Sequence, residues 1–300
     1  MPEFDAVIRF GRYPVSKRVA QTIEALRPVQ IVVDVQESRD FNAQTTTFVP
    51  ADPMDFVVSM LEVASYNFEE MPDERETLPI NIQQWGMLDR ARTERLLGSD
   101  LPANDTFEGA YVQALLDELP AESLLFSANS MSIRAIDEFY FKRGKRLTVL
   151  ANRGLNGIDG TVSSALGAAQ EFEQTVFLTG DLTLLHDLNA LALQGEMLLR
   201  ESQGSRRPSV VIVLLNNNGG AIFDMLPQQS KDPYFERLFL TPHQIDFCAA
   251  AQAFGVSATK AESLEAFRSV LKENLGNPGI SLIEVPVPLR GVKERYGRYR

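Results

Sequence analysis

The fold is decided by VFLTGDLTLLHDLNALAL, residues 176–193, and by VVIVLLNNNGGAIFDMLP, residues 210–227. Each stretch opens with a run of β-branched and large apolar residues, at 176–179 and at 210–215, and each run stops at a polar turn that contains glycine. Apolar runs of this length between breakers are typical of fully buried strands. We therefore predict two buried strands, each followed by polar residues.

The segment between these strands has a helical pattern of apolar residues from Leu184 onward, and Gly204 and Pro208 close it. A strand, a helix and a second strand in this order predict parallel strands with a crossover connection. The polar residues after both strands then lie at one edge of one sheet, which is where open α/β sheets bind ligands.

The rest of the chain also alternates between predicted strands and predicted helices. At the start, residues 6–10, 17–26 and 30–35 predict a strand, a helix and a strand. Residues 71–105 contain several prolines and one short amphipathic stretch, which indicates a linker with a helix. Further elements are predicted at 107–119, 124–127, 133–143, 147–150, 160–169, 264–275 and 280–285.

This order predicts an α/β fold: a doubly wound, mostly parallel sheet preceded by part of a smaller α/β domain. We expect the partial domain at 1–66, the linker at 67–105 and the large domain at 106–300. The small piece has few helices, so we expect it to bury little apolar area.

Composition excludes several classes of function. The 300 residues are 44% hydrophobic and carry a net charge of −11, which argues against nucleic-acid binding because phosphate contacts need a basic surface. No apolar run is long enough to span a bilayer and the N-terminus does not resemble a signal peptide, so we expect a cytoplasmic protein without membrane insertion. The single Cys248 excludes an internal disulfide and is predicted to be a small buried side chain. His186 is expected to pack or cap in its helix, with no chemical role.

Asp181, Asn217 and Gly219 are the candidate ligands of a divalent cation. A carboxylate, an amide oxygen and a backbone carbonyl are suitable ligands for Mg²⁺. Substrate phosphates and water usually complete its coordination shell. Gly219 and Gly220 permit positive φ and close backbone approach. Two other interpretations remain open: Asp181 as a helix cap and Asn217 as a turn residue.

These motifs resemble those of a known enzyme family. Gly-Asp followed by a helix, a strand and Asn-Asn resembles the diphosphate-binding signature of thiamine diphosphate enzymes. ANRGLNGIDGTVSSALGAA, GDLTLLHDLNAL, NNNGGAIFDMLP and the early VIRFGRYPVSK resemble the MenD family more closely. The similarity extends from residue 6 to about residue 243, and Gly-Asp-Leu in place of the common Gly-Asp-Gly is specific to this branch.

The resemblance implies a role for each matching residue. It implies that Asp181, the Asn217 side chain and the Gly219 carbonyl hold Mg²⁺ or Mn²⁺, and that Ile158 supports the bent form of thiamine diphosphate. Further cofactor contacts are implied for Ser130, Met131, Asn156, Leu182 and Gly220. Substrate contacts are implied for Lys17 and Arg153, which would bind carboxylates, and for Ile222 and Phe223, which would form an apolar wall. Other interpretations remain open for three residues. Ile158 could be a core residue and Lys17 a surface lysine, and Arg134 could either contact a ligand or lie on the surface.

The activity implied is that of a transferase: decarboxylation of 2-oxoglutarate and addition of the product to isochorismate, in menaquinone biosynthesis. In this family the catalytic glutamate lies in an N-terminal pyrimidine-binding domain that has no counterpart here, so no catalytic residue is assignable. We therefore expect a fragment, a split subunit or an inactive truncated product, which self-associates or binds a separate pyrimidine-domain subunit. The extra residues around Gly204 are expected to extend a helix and loop.

Three alternatives remain. Another thiamine diphosphate decarboxylase or an acetolactate-synthase-like enzyme is one, and a non-catalytic or assembly subunit is another. A nucleotide-binding dehydrogenase is the third, although Gly154, Gly157 and Gly160 have a different spacing from the usual dinucleotide fingerprint.

Overall fold

The computed structural model describes residues 4–12, 16–37, 40, 42–68, 80–141, 144–202, 208–230 and 233–299. The chain divides into two compact units, Met1–Arg95 and Leu96–Arg300. We call them the first unit and the second unit.

The first unit has a small parallel sheet with the strand order β1-β2-β3. Its elements are β1 (Ala6–Phe10), α1 (Lys17–Leu26), β2 (Val29–Val33), β3 (Thr47–Val49), α2 (Pro53–Phe68) and α3 (Ile80–Leu97), the last of which continues into the second unit. Ser16 caps α1, and Arg27 ends it in the left-handed conformation. Ile23, Val32 and Val33 are buried, whereas most other apolar side chains of these elements are not.

The predicted strand at 6–10 and helix at 17–26 are confirmed, and the next strand ends earlier than predicted. We did not predict β3 or α2, although α2 begins with Asp52-Pro53, in which the aspartate side chain accepts a hydrogen bond from Met54 N. The predicted linker range contains α3, which is longer than the short helix expected there. The domain boundaries at 66 and 105 stay predictions.

The second unit has a six-stranded sheet with the order β5-β4-β6-β7-β9-β8, in which every pair of neighbours is parallel. The strands are β4 (Leu124–Ser127), β5 (Thr148–Ala151), β6 (Gln174–Gly180), β7 (Ser209–Asn216), β8 (Ser257–Lys260) and β9 (Gly279–Pro286). The helices are α4 (Glu108–Glu118), α5 (Met131–Phe139), α6 (Thr161–Ala168), α7 (Asp181–His186), α8 (Leu193–Ser202), α9 (Phe247–Ala253), α10 (Leu264–Asn274) and α11 (Val292–Arg298). The predicted α/β fold with a parallel sheet is confirmed.

Both faces of the central strands β6, β7 and β9 are buried, and alternate residues of a strand point to opposite faces. In β7, Val211, Val213 and Leu215 belong to one apolar cluster, and Val210, Ile212 and Leu214 belong to the other. Helices α4, α5, α10 and α11 contribute to the first cluster, and α6 and α9 to the second. This two-sided burial explains why these strands are continuous apolar runs in the sequence.

The segment between β6 and β7 differs from the single helix predicted there. It forms α7, a 3-10 turn at Leu188–Ala192 and then α8. The break falls at the buried Asp187, whose carboxylate accepts hydrogen bonds from Ser163 N at 2.7 Å and Ser163 Oγ at 3.1 Å. We also did not predict β8 or the final helix α11.

The strand order places a ligand-binding crevice. The chain leaves β4 for β5 on one side and returns to β6 on the other, so the connections diverge between β4 and β6. Ligands of open α/β sheets bind at such a switch point, outside the carboxyl ends of the strands. Within the described part of the chain, no helix is long and apolar enough to cross a bilayer.

Candidate functional site

The carboxyl ends of β6 and β7 are joined by the Asp181 carboxylate. Gly180 pairs with Leu215 in the sheet, so the residues that follow each strand lie side by side. Asp181 Oδ2 accepts a hydrogen bond from Gly219 N at 2.9 Å, and Oδ1 accepts one from Leu182 N at 2.7 Å. Gly180, not Asp181, is the N-cap residue of α7, and the Asp181 carboxylate bonds both to the first turn of its own helix, at Leu182 N, and to the turn after the next strand, at Gly219 N.

Asp181 is 1% exposed, and its electrostatics follow from this burial. Burial raises the pKa of the carboxyl, while N–H donation from Gly219 and Leu182 and the nearby His243 act in the opposite direction. A buried carboxylate needs positive partners to remain ionised. The arrangement therefore suits a carboxylate that meets a cation.

Asn217 supplies a second oxygen at the same edge. Its side-chain Oδ1 is buried and has no hydrogen-bond partner among the described residues. A buried acceptor without a partner is costly unless a ligand or water satisfies it. Together with Asp181 it forms the kind of oxygen donor set that Mg²⁺ and Mn²⁺ prefer.

The two glycines after Asn218 are required by close packing. A Cβ atom on Gly219, at φ +153°, would lie 2.3 Å from the carbonyl oxygen of Leu240, and one on Gly220 would lie 2.7 Å from that of Phe239. Gly220 N also donates to Leu240 O at 2.7 Å. The turn thus lies directly against the π-helical segment Glu236–Leu240, and any larger residue would displace it.

A cleft of about 330 Å³ lies at this edge of the sheet. It is lined by all the candidate residues that belong to the second unit, namely Ser130, Met131, Arg153, Asn156, Ile158, Asp181, Leu182, Asn217, Gly219, Gly220, Ile222 and Phe223. Arg134 lines it as well. Lys17 belongs to the first unit, where it is the exposed first residue of α1. The roles of these residues are proposals, which we take up below.

The residues after β4 and β5 contribute strained and tightly held groups. Ser130 has φ +67° and Asn156 has φ +60°, and a positive φ costs free energy in residues other than glycine and often occurs at ligand sites. The side chain of Asn129 donates to Asn152 O at 2.9 Å and Gly157 O at 2.6 Å and accepts from Arg153 Nη1. Arg134 Nη1 donates to Ser130 O at 2.7 Å. These bonds orient both guanidinium groups at the cleft.

Sequence reasoning missed three residues of this region. Asn129 precedes the predicted Ser130, and its position after an apolar strand run was a usable signal. Glu108 lines the cleft from α4 and pairs with Arg295 at 3.1 Å, a contact between distant parts of the chain that no local pattern indicates. His243 Nε2 lies 3.4 Å from Asp181 Oδ2. His186, the other histidine, is exposed in the last turn of α7.

Cys248 is predicted to be a small buried side chain, and it is only half-buried, at the start of α9. Its thiol donates to Glu284 Oε2 at 3.4 Å, and Asn216 Nδ2 donates to Oε1 of the same carboxylate at 2.9 Å. Burial and the negative charge of Glu284 raise the pKa of the thiol to about 12. Cys248 is therefore protonated near neutral pH, which makes Asp246, Cys248 and Glu284 a poor metal site despite their proximity.

Comparison with known proteins agrees with the geometry of the cleft. Residues 133–285 match the family model described as thiamine pyrophosphate enzyme, C-terminal TPP binding domain. This range runs from within α5 nearly to the end of β9 and contains the candidate residues of the second unit except Ser130 and Met131.

Several curated relatives share the name 2-succinyl-5-enolpyruvyl-6-hydroxy-3-cyclohexene-1-carboxylate synthase. The protein of Desulfitobacterium hafniense is 39% identical over 99% of this chain and 50% of its own length. Those of Geobacillus thermodenitrificans and Geobacillus kaustophilus are 39% and 40% identical over 94% of this chain and 45% and 46% of their own lengths. The chain thus spans about half the length of these relatives. With the parallel sheet and its cleft, the family match identifies the chain as a member of the thiamine pyrophosphate enzymes, through their C-terminal TPP-binding domain.

Proposed function

We propose that this chain supplies the cation and diphosphate half-site of a MenD-type carboligase, by which we mean the part of the active site that holds the Mg²⁺ and diphosphate of thiamine diphosphate. The main support is the meeting of Asp181, Asn217 and Gly219 at the ends of β6 and β7, with Asn217 Oδ1 buried and unpartnered among the described residues. In this proposal Asp181, the Asn217 side chain and the Gly219 carbonyl hold Mg²⁺ or Mn²⁺.

The remaining residues of the cleft fit the cofactor around this cation. Ile158 would support the bent cofactor, and contacts are proposed for Ser130, Met131, Asn156, Leu182 and Gly220. When bound, thiamine diphosphate supplies an electron sink for the decarboxylation of 2-oxo acids. The positive φ angles of Ser130 and Asn156 support this assignment, since strained backbone is frequent at ligand sites.

The proposed substrates are 2-oxoglutarate and isochorismate, both of which carry carboxylates. Arg153 is oriented by Asn129 and Arg134 by the carbonyl of Ser130, so two guanidinium groups face the cleft of a chain with net charge −11. Planar guanidinium groups bind carboxylates with directed hydrogen bonds. Ile222 and Phe223 would form the apolar wall, and Lys17 of the first unit would contact a further carboxylate.

The same proposal covers the organisation of the complete enzyme. Residues 1–66 would be part of a central domain, 67–105 a linker and 106–300 the diphosphate-binding domain. A pyrimidine-binding domain outside these 300 residues would complete the active site, and the chain would self-associate or bind a separate subunit that carries this domain. The homologues with the synthase name are about twice as long as this chain. Their length agrees with an active site that is built from this half and a second half.

Calorimetric titration of the purified chain with thiamine diphosphate, with and without Mg²⁺, tests the half-site. We expect Mg²⁺-dependent binding, and we expect Asp181→Ala to weaken it by about 100-fold or more, since loss of an outer partner of a metal ligand alone costs about 10- to 100-fold. Asp187→Ala is the matched control, because Asp187 is also a buried, hydrogen-bonded carboxylate but lies outside the cleft. Unchanged binding by Asp181→Ala would refute the cation assignment.

The activity is tested by adding in trans the half of a relative that this chain does not cover. We expect the chain, mixed with the N-terminal half of the Desulfitobacterium hafniense synthase, to release CO₂ from 2-oxoglutarate and to form a product with isochorismate. Pyruvate is the control substrate. Turnover of pyruvate but not 2-oxoglutarate would assign the chain to another thiamine diphosphate decarboxylase, and cofactor binding without any turnover would favour a non-catalytic subunit.

A further inference from the structure

His243 lies beside the cation site but is separated from it in sequence. It follows the π-helical segment Glu236–Leu240 and precedes α9, and its side chain is 11% exposed. The ring contacts Phe247 edge to face, with a centroid distance of 5.5 Å and an interplanar angle of 83°. The position of the imidazole is therefore set by packing.

The tautomer of this imidazole follows from its hydrogen bond to the backbone. Ile245 N donates to His243 Nδ1 at 3.3 Å, so Nδ1 uses its lone pair as an acceptor. In a neutral imidazole one nitrogen accepts and the other carries the proton. The proton therefore lies on Nε2.

Nε2 faces the Asp181 carboxylate. It lies 3.4 Å from Oδ2, is buried, and forms no hydrogen bond of normal geometry among the residues that the structure describes. Because its lone pair is replaced by a proton and Nδ1 is occupied, neither nitrogen is available to a metal ion. In this tautomer, His243 presents a donor and not a lone pair on the side that faces the carboxylate.

The two oxygens of Asp181 then differ in their remaining capacity. Oδ2 accepts a hydrogen bond from Gly219 N and has His243 Nε2 3.4 Å away. Oδ1 meets only Leu182 N among the described donors, which leaves one acceptor position. Donors that follow both β6 and β7 thus fix the carboxylate, and Oδ1 is the oxygen that is left for a further ligand.

We propose that His243 is a positioning residue, which donates from Nε2 to Asp181 Oδ2 and thereby directs Oδ1 to the divalent cation. This inference rests on the proposed cation site at Asp181. Outer partners of metal-bound carboxylates orient the ligand and raise metal affinity by about 10- to 100-fold. The side chain of His243 has the same relation to Asp181.

Mn²⁺ affinity tests this role directly. The free Mn²⁺ signal in electron paramagnetic resonance is followed during titration of the full chain in the presence of thiamine diphosphate. We expect His243→Leu to weaken Mn²⁺ binding by about 10- to 100-fold. We expect His243→Gln to retain most of the affinity, because its terminal amide replaces the Nε2 donor, and the exposed His186→Gln to have no effect.

The outcomes separate this inference from the proposed function. If wild type and His243→Leu bind Mn²⁺ equally, while Asp181→Ala does not bind it, the role of His243 is refuted and the cation site stands. If wild type binds no Mn²⁺, both are refuted. Circular dichroism of each variant excludes a loss of folding as the cause.

A second measurement needs no metal. The chain has two histidines, so in His186→Gln a ¹H–¹⁵N correlation spectrum reports the imidazole of His243 alone. We expect a protonated Nε2 and an unprotonated Nδ1, with the Nε2 resonance shifted in Asp181→Ala. The opposite tautomer, or a spectrum unaffected by loss of Asp181, would refute the inference.

Discussion

The two units contain sheets of the same type but bury them differently. In the second unit, β6, β7 and β9 are buried along nearly their whole length, between two apolar clusters. In the first unit, β1 and β3 are mostly exposed or half-buried. Ile8 and Phe10 of β1, and Val58, Met60 and Leu61 of α2, are exposed apolar side chains.

The difference shows how the site is stabilised. A polar cluster with a buried carboxylate and strained backbone costs free energy, which a large core on both faces of the sheet offsets. The second unit has that core and also the cleft. The first unit buries fewer apolar side chains among its described residues, so its contribution to stability should be smaller.

The largest expected effect on stability comes from replacing one of two matched phenylalanines. Phe177 of β6 is 0% exposed and contacts Phe126 edge to face, whereas Phe10 of β1 is 45% exposed and contacts Phe56 in the same way. We expect Phe177→Ala to lower the free energy of unfolding by about 4 kcal/mol, and Phe10→Ala by about 1 kcal/mol, because a buried ring leaves a cavity and an exposed one does not.

Urea unfolding measures both variants. Trp85, the single tryptophan, belongs to the first unit, so its fluorescence follows that unit, while far-UV circular dichroism follows mainly the larger second unit. Equal losses in the two variants would contradict the difference in burial. Coincident transitions in both signals would mean that the two units unfold together.

The next effect concerns the buried ion pair of the second unit. Glu108 and Arg295 have side chains that are 3% and 16% exposed and lie 3.1 Å apart. We expect Arg295→Met to lower the free energy of unfolding by about 3 kcal/mol, because it leaves a buried carboxylate without its cation.

This loss depends on pH with a definite sign. Burial raises the pKa of Glu108, and Arg295 opposes that shift, so removal of Arg295 raises the folded-state pKa further. A raised folded-state pKa means tighter proton binding in the folded state, which favours folding at low pH and ceases to do so as pH rises through that pKa. The deficit of Arg295→Met should therefore be smaller at pH 5.5 than at pH 8. In the double variant Glu108→Gln, Arg295→Met this pH dependence should disappear, and its persistence would exclude Glu108 as the cause.

The smallest expected losses of stability come from two serine residues that cap helices. Ser263 Oγ accepts from Ala266 N at 3.1 Å at the start of α10, and Ser16 Oγ accepts from Val19 N at 3.5 Å at the start of α1. We expect Ser263→Ala to cost about 1 kcal/mol and Ser16→Ala about 0.5 kcal/mol or less, since the longer bond is weaker. Thermal unfolding resolves the two, and a larger loss for Ser16→Ala would reverse the expected order.

The sequence by itself determined the parallel sheet of the second unit and the position of its polar edge. Residues 176–179 and 210–215 are apolar on both sides of the strand, and this is a local pattern that only two-sided burial explains. Because parallel strands end at the same edge, Asp181 and Asn217 were predictable neighbours, and the structure brings them together with the other cleft residues of the second unit.

Only the tertiary structure decided the features that depend on contacts between distant segments. His243 reaches Asp181 because the π-helical segment packs against Gly219 and Gly220, and the helix after β6 breaks because Asp187 bonds to Ser163 of α6. The pairing of Glu108 with Arg295 joins the first helix of the second unit to its last. Local periodicity carries no information on such pairs, since their free energy arises from burial and hydrogen bonds that exist only after the chain has folded.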